Sequence, residues 1–149
     1  MLLELARDRR RVVELGTATG WTAVSLALAD PCREVVTYDI LAREPREDYL
    51  RLANNQARRR IEMVTEPGSS GPRDERPVDL LYIDSSHDRA ETIAEVLAWR
   101  PALLPGAMIV FDDFTHPEYP GVREAICELG LDGERRGTLY VHTVAERSS

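Results

Sequence analysis

Apolar residues gather along this chain in short continuous runs: RVVEL (11–15), EVVTYD (34–39), IEMVT (61–65), VDLLYID (78–84) and AMIVFDD (107–113). Rich in Val, Ile, Leu and aromatics and without polar alternation, they predict strands buried on both faces. Between them the apolar spacing turns helical. Residues 20–29 follow a glycine turn, 46–58 put Tyr49, Leu50, Ala53 and Ala57 on one face, and 88–99 do the same with Ala90, Ile93, Ala94 and Leu97. Asp88 and Glu91 have the spacing of a capping box at that helix start. Residues 120–129 carry Val122, Ala125, Ile126 and Leu129 on one face, between Pro120 at the start and Gly130 at the stop. A last run, TLYVHTV (138–144), alternates and predicts an edge strand after a turn at Gly133 or Gly137. TEPGSSGPRDERP (65–77) has no period and is expected to be a loop.

Strand–helix alternation of this kind predicts an α/β fold: a doubly wound, mostly parallel sheet with helices on both faces and an antiparallel C-terminal edge strand. Ligands of such sheets bind beyond the carboxyl ends of the strands. Every run here reaches that edge on an acid: Glu14, Asp39, Glu66, Asp84, and the pair Asp112 and Asp113 in IVFDDF. Adjacent like charges repel and cost free energy to desolvate, so the edge is suited to cations and hydroxyl donors. The arginine clusters 9–11 and 58–60 precede strands, fall at the opposite edge, and are expected to form a solvated face.

Composition narrows the function classes. The 149 residues, 43% hydrophobic and 30% charged, predict one soluble globular domain spanning 1–149. A formal charge of -7 argues against broad binding to nucleic acid or to an anionic membrane surface. All basic side chains other than histidine are Arg, which removes lysine as a catalytic base. Cys32 and Cys127 are expected to be free thiols. The segment MLLELARDRRR has its apolar residues before its arginines, the reverse of a secretory signal, and ALLPGAMIVF is too short to span a bilayer, so the expected location is the cytoplasm.

In the first turn, ELGTATGW, Gly16 and Gly20 do not have the GxGxxG dinucleotide spacing. Glu14 stands before them, and Asp39 closes the second strand where an acid accepts ribose hydroxyls. A ligand with adenosine, no phosphate and a positive charge suits this edge better than a dinucleotide. S-adenosylmethionine is such a ligand.

VVELGTATGWTAVSLA resembles motif I of the class I S-adenosylmethionine-dependent methyltransferases. VTYDI is similar to their acidic second motif, and DLLYIDSSH with LLPGAMIVFDD resembles their fourth and fifth strands, so the likeness runs from about residue 11 to 130. Within that superfamily the chain looks like the small metal-assisted O-methyltransferases of the catechol and antibiotic-sugar types; the latter share the pattern of FDDFTHPEYPGVREAI. The resemblance implies a Rossmann-like fold with Gly16, Thr17 and Gly20 around the methionine part, Thr22 near its carboxylate and Glu14 facing its amino group, directly or through water. It implies Asp39 on the ribose and Ser69 near the adenine, although the 65–77 loop departs from the family pattern. Asp84, Asp112 and Asp113 match the three metal positions, of which the catechol type has an amide at the third. His87 falls where that branch carries a lysine base.

Three carboxylates of this kind suit Mg²⁺, or Mn²⁺. Other roles stay open: Asp112 as a cap for the following turn, Asp84 as a hydrogen-bond partner of substrate or loop, and His116 as the base in place of His87. His142 is read as structural. The implied activity is O-methylation of a small hydroxylated substrate, a diol or a sugar. Two alternatives remain: a non-catalytic S-adenosylmethionine-binding domain, and a nicotinamide oxidoreductase. The first is encouraged by the short stretch ahead of the first strand, where relatives carry helices over the substrate; a second subunit of a homo-oligomer could supply that cover.

Overall fold

A computed structural model describes residues 1–145. A short helix α1 (Leu2–Leu5) leads into β1 (Arg11–Leu15), and α2 (Trp21–Ala29) crosses to β2 (Glu34–Tyr38). Two helices, α3 (Arg46–Leu52) and α4 (Asn55–Arg58), precede β3 (Ile61–Val64). They divide the predicted 46–58 helix because Ala53 is extended and Asn54 caps a new start through the Ala57 N–H. A loop with one 3-10 turn (Gly68–Ser70) reaches β4 (Val78–Ile83), and α5 (Arg89–Trp99) leads to β5 (Leu103–Phe111). After α6 (Pro120–Glu128) come β6 (Gly133–Arg136) and β7 (Leu139–Thr143).

The sheet order is β3-β2-β1-β4-β5-β7-β6, with β1 to β5 parallel and β7 antiparallel to β5. The alternating C-terminal strand is therefore antiparallel as expected, but β6 lies outside it and forms the edge. GERR has no apolar period to announce a strand; its four residues are all exposed and turn at Gly137. Every residue of β1 is buried, as the continuous apolar run predicts for a central parallel strand.

Two apolar layers cover the sheet. Trp99, Val96, Val122 and Ile126 pack against one face, and Leu26, Val24, Leu50 and Ala57 against the other. The inward face of α5 differs from the sequence expectation. Thr92, Glu95, Val96 and Trp99 are buried there, while Leu97 is 51% exposed. A threonine and a glutamate on the true inward face disguise it, and the alanine-rich stripe at 90–97 mimics one.

The arginine clusters depart in part from a solvated face: Arg10, Arg58 and Arg59 are exposed, and the other three are not. Arg60 donates to the carbonyls of Ala27, Asp30 and Arg33, Arg9 to that of Gly106, and Arg11, 8% exposed, pairs with Asp74 at 2.8 Å. The Arg60 guanidinium satisfies carbonyls left over between the end of α2 and the start of β2. The Arg11 guanidinium holds the Asp74 carboxyl well below the usual range. Cys32 and Cys127 are free and exposed, and no helix among the described residues is long and apolar enough to cross a membrane.

Candidate functional site

From β1 the chain proceeds to β2 on one side, while β4 lies on the other. Neighbouring loops leave this point in opposite directions and open a crevice at the carboxyl ends. It holds a cavity of about 710 Å³, lined by Gly16 and Ala18 after β1, Tyr38 to Leu41 at the end of β2, Pro67 to Ser69, Asp84 to Ser86 after β4, and Asp88, Glu91 and Glu95 of the α5 segment. Carboxylates outnumber the one lining cation, Arg43. A pyrophosphate would be repelled here, and a sulfonium attracted.

Gly16 is tightly constrained. Its φ is +104°, and a Cβ there would stand 1.9 Å from the Asp84 carbonyl oxygen. Only glycine lets the β1 turn approach the β4 end this closely. Glu14 lies beneath that turn, 1% exposed and outside the cavity lining. Thr37 Oγ1 donates to Glu14 Oε2 at 2.5 Å, and Thr17 Oγ1 is 2.7 Å from Thr37 Oγ1. Burial pushes the Glu14 carboxyl up to about 8 against that hydrogen bond. Thr17, Gly20 and Thr22 shape the turn and the start of α2 without lining the cavity.

Asp39 does line it, and its carboxylate is already engaged. Oδ2 accepts from the Ala18 N–H at 2.9 Å and from Arg46 Nη2 at 2.6 Å, and Oδ1 accepts from the Leu41 N–H at 3.1 Å. A carboxylate offers about four acceptor positions. One remains on Oδ1, so a single hydroxyl can be taken directly while Arg46 stays in place. Arg46 also donates to the Ala18 carbonyl at 2.9 Å, tying the β1 turn to the β2 acid. Nothing in the sequence marked Arg46, because its approach depends on how α3 docks. Ser69 lines the opposite wall, where its hydroxyl donates to Glu91 Oε1 at 2.8 Å. Glu91 therefore does not complete the capping box, although Asp88 caps its N–H at 3.0 Å.

The acids of β4 and β5 separate. Asp84, His87 and Asp113 each offer a ligand atom within 4.8 Å of the others. His87 Nε2 lies 3.4 Å from Asp84 Oδ1 and 3.2 Å from Asp113 Oδ2, yet it makes no hydrogen bond. Asp112 turns aside: Tyr82 Oη donates to its Oδ2 at 2.5 Å, and its Oδ1 accepts the Asp113 N–H at 2.8 Å. Burial, then the charges of Asp112 and Asp113, raise the Asp84 carboxyl to about 7. His87 and Asp113 both have positive φ, 59° and 51°. Asp8 and Ala18 also take this left-handed backbone, which Asp and His tolerate better than most residues. Tyr119 stacks on His87 and on His116 at 4.4 Å from each. His116 lies on the outer side of that stack, its Nδ1 accepting the Glu118 N–H at 3.3 Å.

Two buried carboxylates predict an inverted pH response. Glu14 and Glu95 rise from 4.5 to about 8 and about 7, both first by burial. The folded state therefore holds protons that the unfolded chain has released. Stability should fall as pH rises from about 4.5 to about 8, by a total on the order of a few kcal/mol. Thermal melts in chelator should give a lower melting temperature at pH 8 than at pH 5. Equal or higher stability at pH 8 would show that these groups ionise freely.

A methyltransferase-domain family model matches residues 13–114. No curated protein matches the chain. Among solved structures, the O-methyltransferase TomG from Streptomyces achromogenes, in complex with SAM, is 24% identical with a TM-score of 0.69 over 97% of this chain and 77% of its own. An O-methyltransferase from Bacillus cereus in complex with SAH is 20% identical, with a TM-score of 0.71 over 96% and 77%. CalS11, a TDP-rhamnose 3'-O-methyltransferase of calicheamicin biosynthesis, is 16% identical, with a TM-score of 0.70 over 95% and 76%. At these identities the likeness is one of fold.

Proposed function

The chain belongs to the methyltransferase-domain family, the class I S-adenosylmethionine-dependent kind its motifs resemble, and from that premise we propose that it methylates an oxygen of a small hydroxylated substrate with help from a divalent cation. One observation carries this reading. Asp84 lines the cavity on one side and belongs to the Asp84–His87–Asp113 group on the other. A hydroxyl held at that group would face a methyl donor in the cavity.

Asp39 would take a ribose hydroxyl, Gly16 and Ala18 would border the methionine part, and Glu14 would lie behind them, hydrogen-bonded to Thr37. The residues fit a cation. Asp84 is costly to ionise without one, and His87 Nε2 is buried without a hydrogen-bond partner between two carboxylates. Asp84, Asp113 and His87 would hold the ion; Mg²⁺ or Mn²⁺ suits the carboxylates, and the imidazole tilts the set toward Mn²⁺. Such an ion lowers the pKa of a hydroxyl bound to it.

In the transfer, an oxygen lone pair forms the new C–O bond as the C–S bond breaks, giving the neutral thioether; the hydroxyl proton leaves to a base or to water. With His87 Nε2 given to the ion, that proton leaves to water or to His116; without the ion, His87, lying between the two acids, is the better placed base. Supplying radiolabelled methyl donor with catechols and nucleotide sugars tests the reading. Label transfer to oxygen that is lost in chelator is expected. Labelled donor retained without transfer to either class would leave only binding.

A further inference from the structure

Glu95 is a carboxylate on the inward face of α5, 1% exposed, beside Val96 and Trp99. An apolar residue would be cheaper there, since a buried carboxylate needs partners for both oxygens. Ser85 Oγ donates to Oε2 at 2.8 Å. Among the described residues, Oε1 receives no side-chain hydrogen bond, and Glu95 forms part of the cavity wall. The wall is built around that oxygen. A Cβ on Gly68 would stand 2.6 Å from Oε1, and Trp99 Nε1 donates to the Gly68 carbonyl at 2.8 Å, pinning the 3-10 turn in place. Its other possible competitor is occupied, because the Ser69 hydroxyl is turned to Glu91.

The rest of the cavity says what comes here. If Asp39 holds the ribose and the Gly16–Ala18 turn the methionine part, the base lies toward Pro67, Gly68 and Ser69. Ile40 and Leu41, directly after Asp39, are 64% and 57% exposed and line the cavity, apolar side chains with room for the face of a flat ring. What the ring edge then meets is an acceptor. We propose that Glu95 is a specificity-determining residue that selects an aminopurine, with Oε1 accepting a hydrogen bond from the exocyclic amine of the cofactor's adenine while Oε2 stays on Ser85. This rests on the reading that the cavity takes S-adenosylmethionine. Burial raises the carboxyl to about 7, so at pH 8 it is an acceptor.

Calorimetry at pH 8 with S-adenosylhomocysteine and its 6-oxo counterpart, S-inosylhomocysteine, tests the assignment. The wild-type protein should bind the amino form at least about tenfold more tightly, because a carboxylate repels a 6-oxo group. In Glu95→Gln the amide can donate to the oxo group or accept from the amine, so the two affinities should come within about threefold of each other. Wild-type protein that binds both compounds equally overturns the proposal without any variant, and so does Glu95→Gln keeping the wild-type ratio. Wild-type protein that binds neither would overturn the cofactor reading of the cavity, and this proposal with it.

Discussion

Asparagine at both Asp84 and Asp113 is expected to lower methyl transfer by about 10²-fold or more while raising the melting temperature of the metal-free protein at pH 8. The two effects have one cause. The carboxylates of Asp84, Asp112 and Asp113 repel one another, and burial of Asp84 adds to the cost of ionising it. Removing two of these charges therefore relieves the apo protein. The same charges would hold the cation, whose effect on a developing oxyanion is worth several kcal/mol, or a few powers of ten in rate. Mn²⁺ or Mg²⁺ should raise the melting temperature of the wild type by mass action and leave the double variant unmoved. If chelator changes neither stability nor transfer in the wild type, the acids are structural and His87 must serve alone as base.

The second large effect is expected at Asp39. Alanine there should weaken S-adenosylhomocysteine binding by about 1.5–3 kcal/mol, through loss of a charged acceptor for a ribose hydroxyl. It should also cost about 3 kcal/mol or more of stability, because Arg46 is left 8% exposed with its charge unpaired. Combining Asp39→Ala with Arg46→Met separates the two. Stability should recover in the double variant, as two charges leave together, while affinity stays low. Recovery of affinity along with stability would mean that Asp39 only supports the fold.

β1, β2 and β4 were legible because a strand buried on both faces cannot alternate, and β1 to β4 fall within a residue of the apolar runs; β3, expected to be buried on both faces, is instead an edge strand with Glu62 exposed and only Val64 buried. β5 begins earlier than expected, running through Pro105 and Gly106, where its pairing with β4 is irregular. Asp39, Asp84 and Asp112 were legible for the same reason, since each marks where burial stops, whereas Glu14 lies inside the buried strand β1. Their grouping was not. Asp112 and Asp113 are neighbours in sequence, but the positive φ at Asp113 sends the two carboxylates different ways, one to Tyr82 and one toward His87. Arg46 and Glu95 were missed for opposite reasons. Arg46 looks like an ordinary helix-surface residue until α3 docks. Glu95 carried a signal, an acid at helical spacing between Thr92 and Trp99, hidden by a more regular alanine stripe on the other side of the helix.

Titrating S-adenosylhomocysteine into the protein by calorimetry, once with Mn²⁺ and once with chelator, bears most directly on whether the cavity between β1 and β4 is a methyl-donor site. Saturable binding of one equivalent per chain in both conditions, lost or sharply weakened in Asp39→Ala, is the predicted result. Absence of binding in both, or equal binding by wild type and Asp39→Ala, would contradict it.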